Sequence, residues 1–194
     1  SLHRSLVQPV YQAYADLLLQ QARQEGAAQA SQTLYQVRAL MEASKRSELQ
    51  DYLGERCSVE QVQQNQLPQK IADGVAVIYP IVFADRTEIL LETAAGMQIF
   101  TVNLNAASLQ QHSQAWVAGL RSGEPTAQAQ SQSEQLWQWL IAPWHSHLQQ
   151  QGIKQLLIVP DGVLRLLPFA ALSDGKNYLV QSYQISTSPA LNLI

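Results

Sequence analysis

The segment KQLLIVPDGVLRLLPFAALSDGKNYLVQSYQISTSPALNLI, residues 154–194, most narrows what this chain can fold into. A short apolar run, Leu156 to Val159, leads into Pro160-Asp161-Gly162, the composition of a buried strand entering a tight turn. A second apolar run ends in Leu167-Pro168-Phe169, and strand-like pieces follow around Tyr178–Val180 and Tyr183–Ser186. The pattern is still running at Ile194, so it reads as the opening of a sheet. A strand at Leu156–Val159 without later partners is expected to be an exposed edge, and an exposed edge predicts a homodimer by edge pairing.

Upstream, PVYQAYADLLLQQARQEG places Val10, Tyr14, Leu17, Leu18 and Ala22 at helical spacing, with Pro9 at the start and Gly26 as the stop. A second helix is expected from Ala27 to Leu53, carrying Leu34, Val37, Leu40, Met41, Tyr52 and Leu53 and ending at Gly54. Two amphipathic helices cannot bury both apolar faces alone, so the hairpin must pack on the rest of the chain or on further helices. Residues 74–105 contain three apolar runs broken at Ala84–Arg86 and Ala94–Gly96, the pattern of a three-stranded antiparallel meander. Pro80 suggests that its first strand lies at an edge or carries a bulge, and Glu88 and Glu92 suggest one wet face. Asn105 is suited to cap a helix running to about Leu120, Ser122–Ser133 has the composition of a mobile loop, and Pro143 must kink or break the helix that follows. Gly152 ends it.

The expected organisation is a helical hairpin over 1–57, a linker over 58–73 and an α/β region over 74–194. The fold class is mixed α/β: a helical hairpin arm, an antiparallel three-stranded meander, then helices and the first strands of an α/β sheet.

With 46% hydrophobic and 14% charged residues the chain is globular, and a domain of this length buries about 70% of its unfolded surface. A formal net charge of -3 with scattered Lys and Arg provides no stripe for nucleic acid. No apolar run reaches the roughly 18 residues of a spanning helix, and the N-terminus lacks signal-peptide order, so no membrane role and a cytoplasmic location are expected. Phosphate-loop, dinucleotide, serine-elbow and zincin motifs are absent, and no cofactor or metal is expected. Cys57, the single cysteine, has no nominated base and reads as a packing residue. His145 and His147, two apart on a helix, point to different sides and read as surface or interface residues. Trp116, Trp137, Trp139 and Trp144 are either core or exposed interaction anchors. Asp161 and Arg165 sit where functional loops of α/β sheets occur; the simpler expectation is that Asp161 bonds its own turn while Gly162 supplies a positive φ.

Taken together, LIAP (140–143), LLIVPDGVLRLLPFAAL (156–172), YLVQSYQIS (178–186) and SPAL (188–191) resemble the N-terminal part of CHAT domains, caspase-like cysteine peptidase relatives often fused to tetratricopeptide repeats. Pro143, Pro160, Asp161, Gly162, Leu164, Pro168 and Phe169 carry the resemblance as turn and packing positions. The helix pair, with ALMEASKRSELQDYLGERC, is similar in layout to the end of a tetratricopeptide array. The resemblance implies a caspase-type sheet and, in family members, a histidine–cysteine dyad located beyond the matching segment. His3, His112, His145, His147 and Cys57 do not occupy the dyad positions, so no catalytic residue is assigned. The implied function is a non-catalytic N-terminal part of a CHAT protein, its parent a cysteine peptidase regulated through protein partners; the alternative is a scaffold with no peptidase activity.

Overall fold

The computed structural model describes residues 7–53, 71–123 and 127–190, with side chains of the first stretch described through residue 48. The element order is α1 (Gln8–Ala22), α2 (Ala27–Leu53), β1 (Val75–Val82), β2 (Thr87–Thr93), β3 (Gly96–Val102), α3 (Ala106–Arg121), α4 (Ala127–Leu140), α5 (Ala142–Gln150), β4 (Gln155–Ile158), two 3₁₀ turns (Gly162–Leu166 and Phe169–Ala171), α6 (Leu179–Ser182) and β5 (Gln184–Thr187). The fold is mixed α/β, with a hairpin, a meander and later strands in the expected order. Cys57 and most of the expected linker lie outside the described residues.

The strands form one five-stranded sheet in the order β3-β2-β1-β4-β5. β1–β2 and β2–β3 are antiparallel, while β1–β4 and β4–β5 are parallel. Helices cover both faces. On one face, Ala76, Ile78, Ile89, Leu91, Leu156 and Ile158 meet Leu109, Trp116, Leu136, Trp144 and Leu148 of α3–α5. On the other, Val77, Tyr79, Ile81 and Leu90 meet Leu18, Leu19, Leu34, Val37 and Met41 of the hairpin. Each fully buried Leu or Ile contributes about 2 kcal/mol, so the hairpin is anchored by its inner face.

Several local expectations change. β1 is central, not an edge, and its pairing with β2 runs unbroken from Val77↔Glu92 to Val82↔Thr87. Pro80 is tolerated because β4 pairs with β1 only as far as Ile78↔Ile158. The Ile78 carbonyl accepts from the Val159 N–H at 2.9 Å, so alternation turns the Pro80 nitrogen to that same edge, beyond the end of β4. β4 is likewise interior; among the described residues the sheet edges are β3 and β5. On α1 the buried residues are Ala15, Leu18, Leu19 and Ala22, whereas Val10, Tyr14 and Leu17 face outward.

Residues 127–133, expected in a loop, are helical, and a Cβ added to Gly119 of α3 would lie 3.3 Å from that of Ala129. That close approach lets α4 pack where composition alone suggests a loop. The helix does break before Pro143. The Trp144 backbone N–H turns to the Ile141 carbonyl at 3.2 Å, and the Trp144 indole N–H takes the Leu140 carbonyl at 2.7 Å. Asn105 caps α3 by accepting from the Ser108 N–H at 2.8 Å. Tyr178 opens α6 rather than a strand, because its N–H is taken by the Gln181 side chain at 2.6 Å.

Glu88 and Glu92 do not face water. All seven residues of β2 are buried, and both carboxylates point at the hairpin. Glu88 accepts from Arg86 Nε at 2.6 Å, from Thr101 Oγ1 at 2.7 Å and from the Arg23 guanidinium, while Glu92 pairs with Arg38. Arg38 and Glu92 are both nearly solvent-free. Removing one partner of such a pair strands a buried charge, at a cost of about 3–5 kcal/mol, whereas replacing both is close to neutral. Arg38→Met should therefore lower unfolding free energy in urea by about that amount, and Arg38→Met with Glu92→Met should recover most of it. A loss under about 1 kcal/mol for the single variant would mean that the pair is hydrated.

Candidate functional site

The chain leaves β1 toward β2 on one flank and leaves β4 toward β5 on the other. The carboxyl ends of these adjacent parallel strands therefore border the point where the connections diverge, the position at which open α/β sheets place their binding crevices. Pro160, Asp161 and Gly162 form the turn there, and Gly162 has φ +51, as its place in a tight turn requires.

The turn is closed from the hairpin side. Lys45 of α2 is buried and donates from Nζ to the Pro160 carbonyl at 2.9 Å, with Asp161 Oδ1 at 3.9 Å. Burial holds the Lys45 ammonium below its ordinary pKa of 10.5, and the Asp161 carboxylate opposes that shift. One step outward, Arg165 forks onto Glu48, with Nη1–Oε1 at 3.0 Å and Nη2–Oε2 at 2.5 Å, and lies 4.0 Å from Asp161. The hydrogen bonds to Glu48 raise the Arg165 pKa against a smaller opposing effect of burial. Asp161 makes no side-chain bond to its own turn, contrary to expectation; its carboxylate serves the two cations instead.

Beneath this cluster, Glu42 of α2 accepts from the Tyr79 hydroxyl of β1 at 2.7 Å, and burial pushes the Tyr79 pKa upward. Lys45 is too enclosed to serve as an accessible nucleophile, and its neighbours are an acyl oxygen and a carboxylate. What the arrangement does is tie α2 to the turn after β4.

The motif positions divide between the cluster and the core. Pro160 and Asp161 are buried in it and Gly162 lies at its rim; Leu164 and Phe169 fill the core under α3–α5; Pro168 is exposed and precedes the second 3₁₀ turn; Pro143 stands apart, at the start of α5. Among the described residues no group of His, Cys, Asp and Glu could hold a metal ion. Trp116, Trp137 and Trp144 are core residues, so they are not exposed anchors, and Trp139 is half-buried against His112. His147 contacts Gln151 at 2.8 Å. His145 lies edge-on to Trp137 and Tyr183, and its Nδ1 is 3.0 Å from the Tyr183 hydroxyl.

Sequence reasoning missed Arg38, Glu42, Lys45 and Glu48. Their signal was present, because their spacing follows the helical period and they share a face with Leu34, Val37 and Met41. Charges in register with an apolar stripe are charges bound for partners.

Lys45→Met should cost about 1–3 kcal/mol, since it leaves the Pro160 carbonyl without its donor, while Glu48→Gln, at a partly exposed pair, should cost under about 1 kcal/mol. Equal losses in denaturant titrations would sink this ranking. Between the depressed folded pKa of Lys45 and its ordinary 10.5, the unfolded chain binds the proton more tightly, so stability rises with pH across that window. Lys45→Met should flatten the rise. Burial also lowers the His145 pKa from 6.5, with Asp174 opposing. Here the unfolded chain protonates first, so stability should fall as pH drops below 6.5 until His145 itself titrates. His145→Gln should remove that part of the slope in pH-dependent melting; an unchanged slope would show that His145 is fully hydrated.

No curated protein matches the chain. Comparison with protein families matches residues 130–194 to the CHAT domain. The match covers most of α4, then α5, β4, the Pro160–Gly162 turn, α6 and β5. The same stretch contains the motif residues Pro143 through Phe169. Residues 130–194 of this chain are thus similar to a CHAT domain.

Proposed function

We propose that this chain forms a non-catalytic front part of a caspase-like CHAT peptidase domain, and that its helical hairpin is a tetratricopeptide-like element through which protein partners act on that domain. The observation that carries the proposal is the CHAT match across β4 and β5, in a sheet whose central strands are tied to the hairpin through Lys45 and Pro160. A caspase-like reaction needs a thiol within hydrogen-bond reach of a histidine base. The described histidines are engaged elsewhere: His145 with Tyr183, His147 with Gln151 and His112 with Trp139. In this reading the dyad is supplied by CHAT sequence other than residues 130–194, and Cys57 is no nucleophile.

The coupling has a physical route. A partner that shifts α2 along its axis moves Lys45 and Glu48 relative to the Asp161 turn, and so moves the carboxyl end of β4. The purified chain should leave a peptide library intact, and Cys57→Ala should behave as the parent. Cleavage that disappears on Cys57→Ala would overturn the proposal.

A further inference from the structure

Asp161 is short of donors. The residue is only 8% exposed, yet among the described residues no N–H or O–H comes within hydrogen-bond distance of its carboxylate. The two nearest cations stand off at almost equal distances from the same oxygen, Lys45 Nζ at 3.9 Å and Arg165 Nη2 at 4.0 Å from Oδ1. Both have donated elsewhere, Lys45 to the Pro160 carbonyl at 2.9 Å and Arg165 to Glu48 through both terminal nitrogens. A buried acceptor without a donor is costly, because burial has removed the water that would have served it.

The two cations differ in freedom. The Lys45 side chain is enclosed, whereas those of Arg165 and Glu48 are 36% and 34% exposed, so water reaches both halves of the rim pair. A pair of that kind is held weakly and exchanges readily. Arg165 Nη2, which Glu48 Oε2 takes at 2.5 Å, is also the nitrogen that faces Asp161. A swing of about 1 Å toward Oδ1 brings it to an ordinary hydrogen-bond length of roughly 2.9 Å. Asp161 precedes the 3₁₀ turn Gly162–Leu166 and Arg165 lies near its end, so the swing is a side-chain motion. We propose that Arg165 is a two-position switch, exchanging between Glu48 of the hairpin and Asp161 of its own turn. In the position seen in the structure, the guanidinium ties the turn after β4 to α2. In the other, it closes the turn on itself, gives Asp161 its missing donor and leaves the Glu48 carboxylate to solvent. Lys45 stays on the Pro160 carbonyl in both and is the fixed point of the exchange. One position has a solvated pair and the other a served buried acceptor, so a modest bias at Glu48 moves the population. The exchange gives the hairpin-to-turn coupling of the functional proposal two definite positions, but it needs only these four side chains and holds whether or not the domain is a peptidase.

The test is a double-mutant cycle between Asp161→Asn and Arg165→Gln, read as unfolding equilibrium constants in urea, run once in the unsubstituted chain and once with Glu48→Ala. The coupling should be no more than about threefold in the unsubstituted chain, where the two side chains do not hydrogen-bond, and about tenfold or more with Glu48→Ala, where Arg165 has moved to Asp161. A coupling that does not rise with Glu48→Ala overturns the proposal. A crystal structure of Glu48→Ala reads the position directly and does not depend on the buried Asp161 variant folding. It should place the Arg165 guanidinium within hydrogen-bond distance of Asp161 Oδ1; a guanidinium unmoved or turned out to solvent overturns the switch. A cleaved peptide library would overturn the functional proposal without touching this exchange, and an unmoved Arg165 would do the reverse.

Discussion

Two carboxylates in the middle of a strand with no solvent on either side set the terms for the rest of the molecule. Glu88 and Glu92 share a face of β2 with Leu90, and burying them unpaired would cost several kcal/mol each. Arg23 and Arg38 reach them from the hairpin, and Arg86 reaches Glu88 from the end of β2. The observed placement of α1 and α2 brings both hairpin cations to their carboxylates while also burying Leu18, Leu34, Val37 and Met41.

The same logic continues along α2. Near its start, a Cβ on Gly96 of β3 would lie 3.7 Å from the Ser31 side chain. Then Arg38 meets Glu92 of β2, Glu42 meets Tyr79 of β1, Lys45 meets Pro160 after β4, and Glu48 meets Arg165. These contacts follow the spatial order of the strands. From Arg38 onward successive ties are three or four residues apart, about 5 Å along a helix, and neighbouring strands are about 4.8 Å apart. α2 thus crosses the sheet steeply, with one polar tie each to β2, β1 and the turn after β4. A helix laid along the strands could not meet them in that order.

Elements with strong local signals were legible in the sequence: both helices of the hairpin, the meander, the Asn105 cap, the break at Pro143 and the strand before Pro160. The errors have a common origin in pairing that local pattern does not encode. Pro80 reads as an edge proline until it is known that β4 stops at Ile158. Glu88 and Glu92 read as solvent-facing until the hairpin supplies guanidinium groups. Val10, Tyr14 and Leu17 look like a buried face, yet Ala15, Leu18, Leu19 and Ala22 are the ones that meet the sheet. Asp161 was singled out by its position after a buried strand, but its buried partner, Lys45, stands far upstream on α2 and no spacing rule links the two. Tyr178 shows the opposite failure, a strand-like residue captured by a single side-chain bond from Gln181.

The hairpin touches the CHAT-matching residues through Lys45 and Glu48. Lys45 is held between a carbonyl and a carboxylate with little room to rehydrate. A displacement of α2 by even one turn, about 5 Å, would pull it from both, leaving a buried acceptor and a buried anion exposed to each other. Small displacements are resisted and large ones are costly, which is the behaviour of a stop rather than a spring. Arg165 and Glu48, on the rim and partly hydrated, can separate and re-form at small cost. Any motion passed from the hairpin to the turn therefore begins at the rim pair and is limited by the buried lysine beneath it.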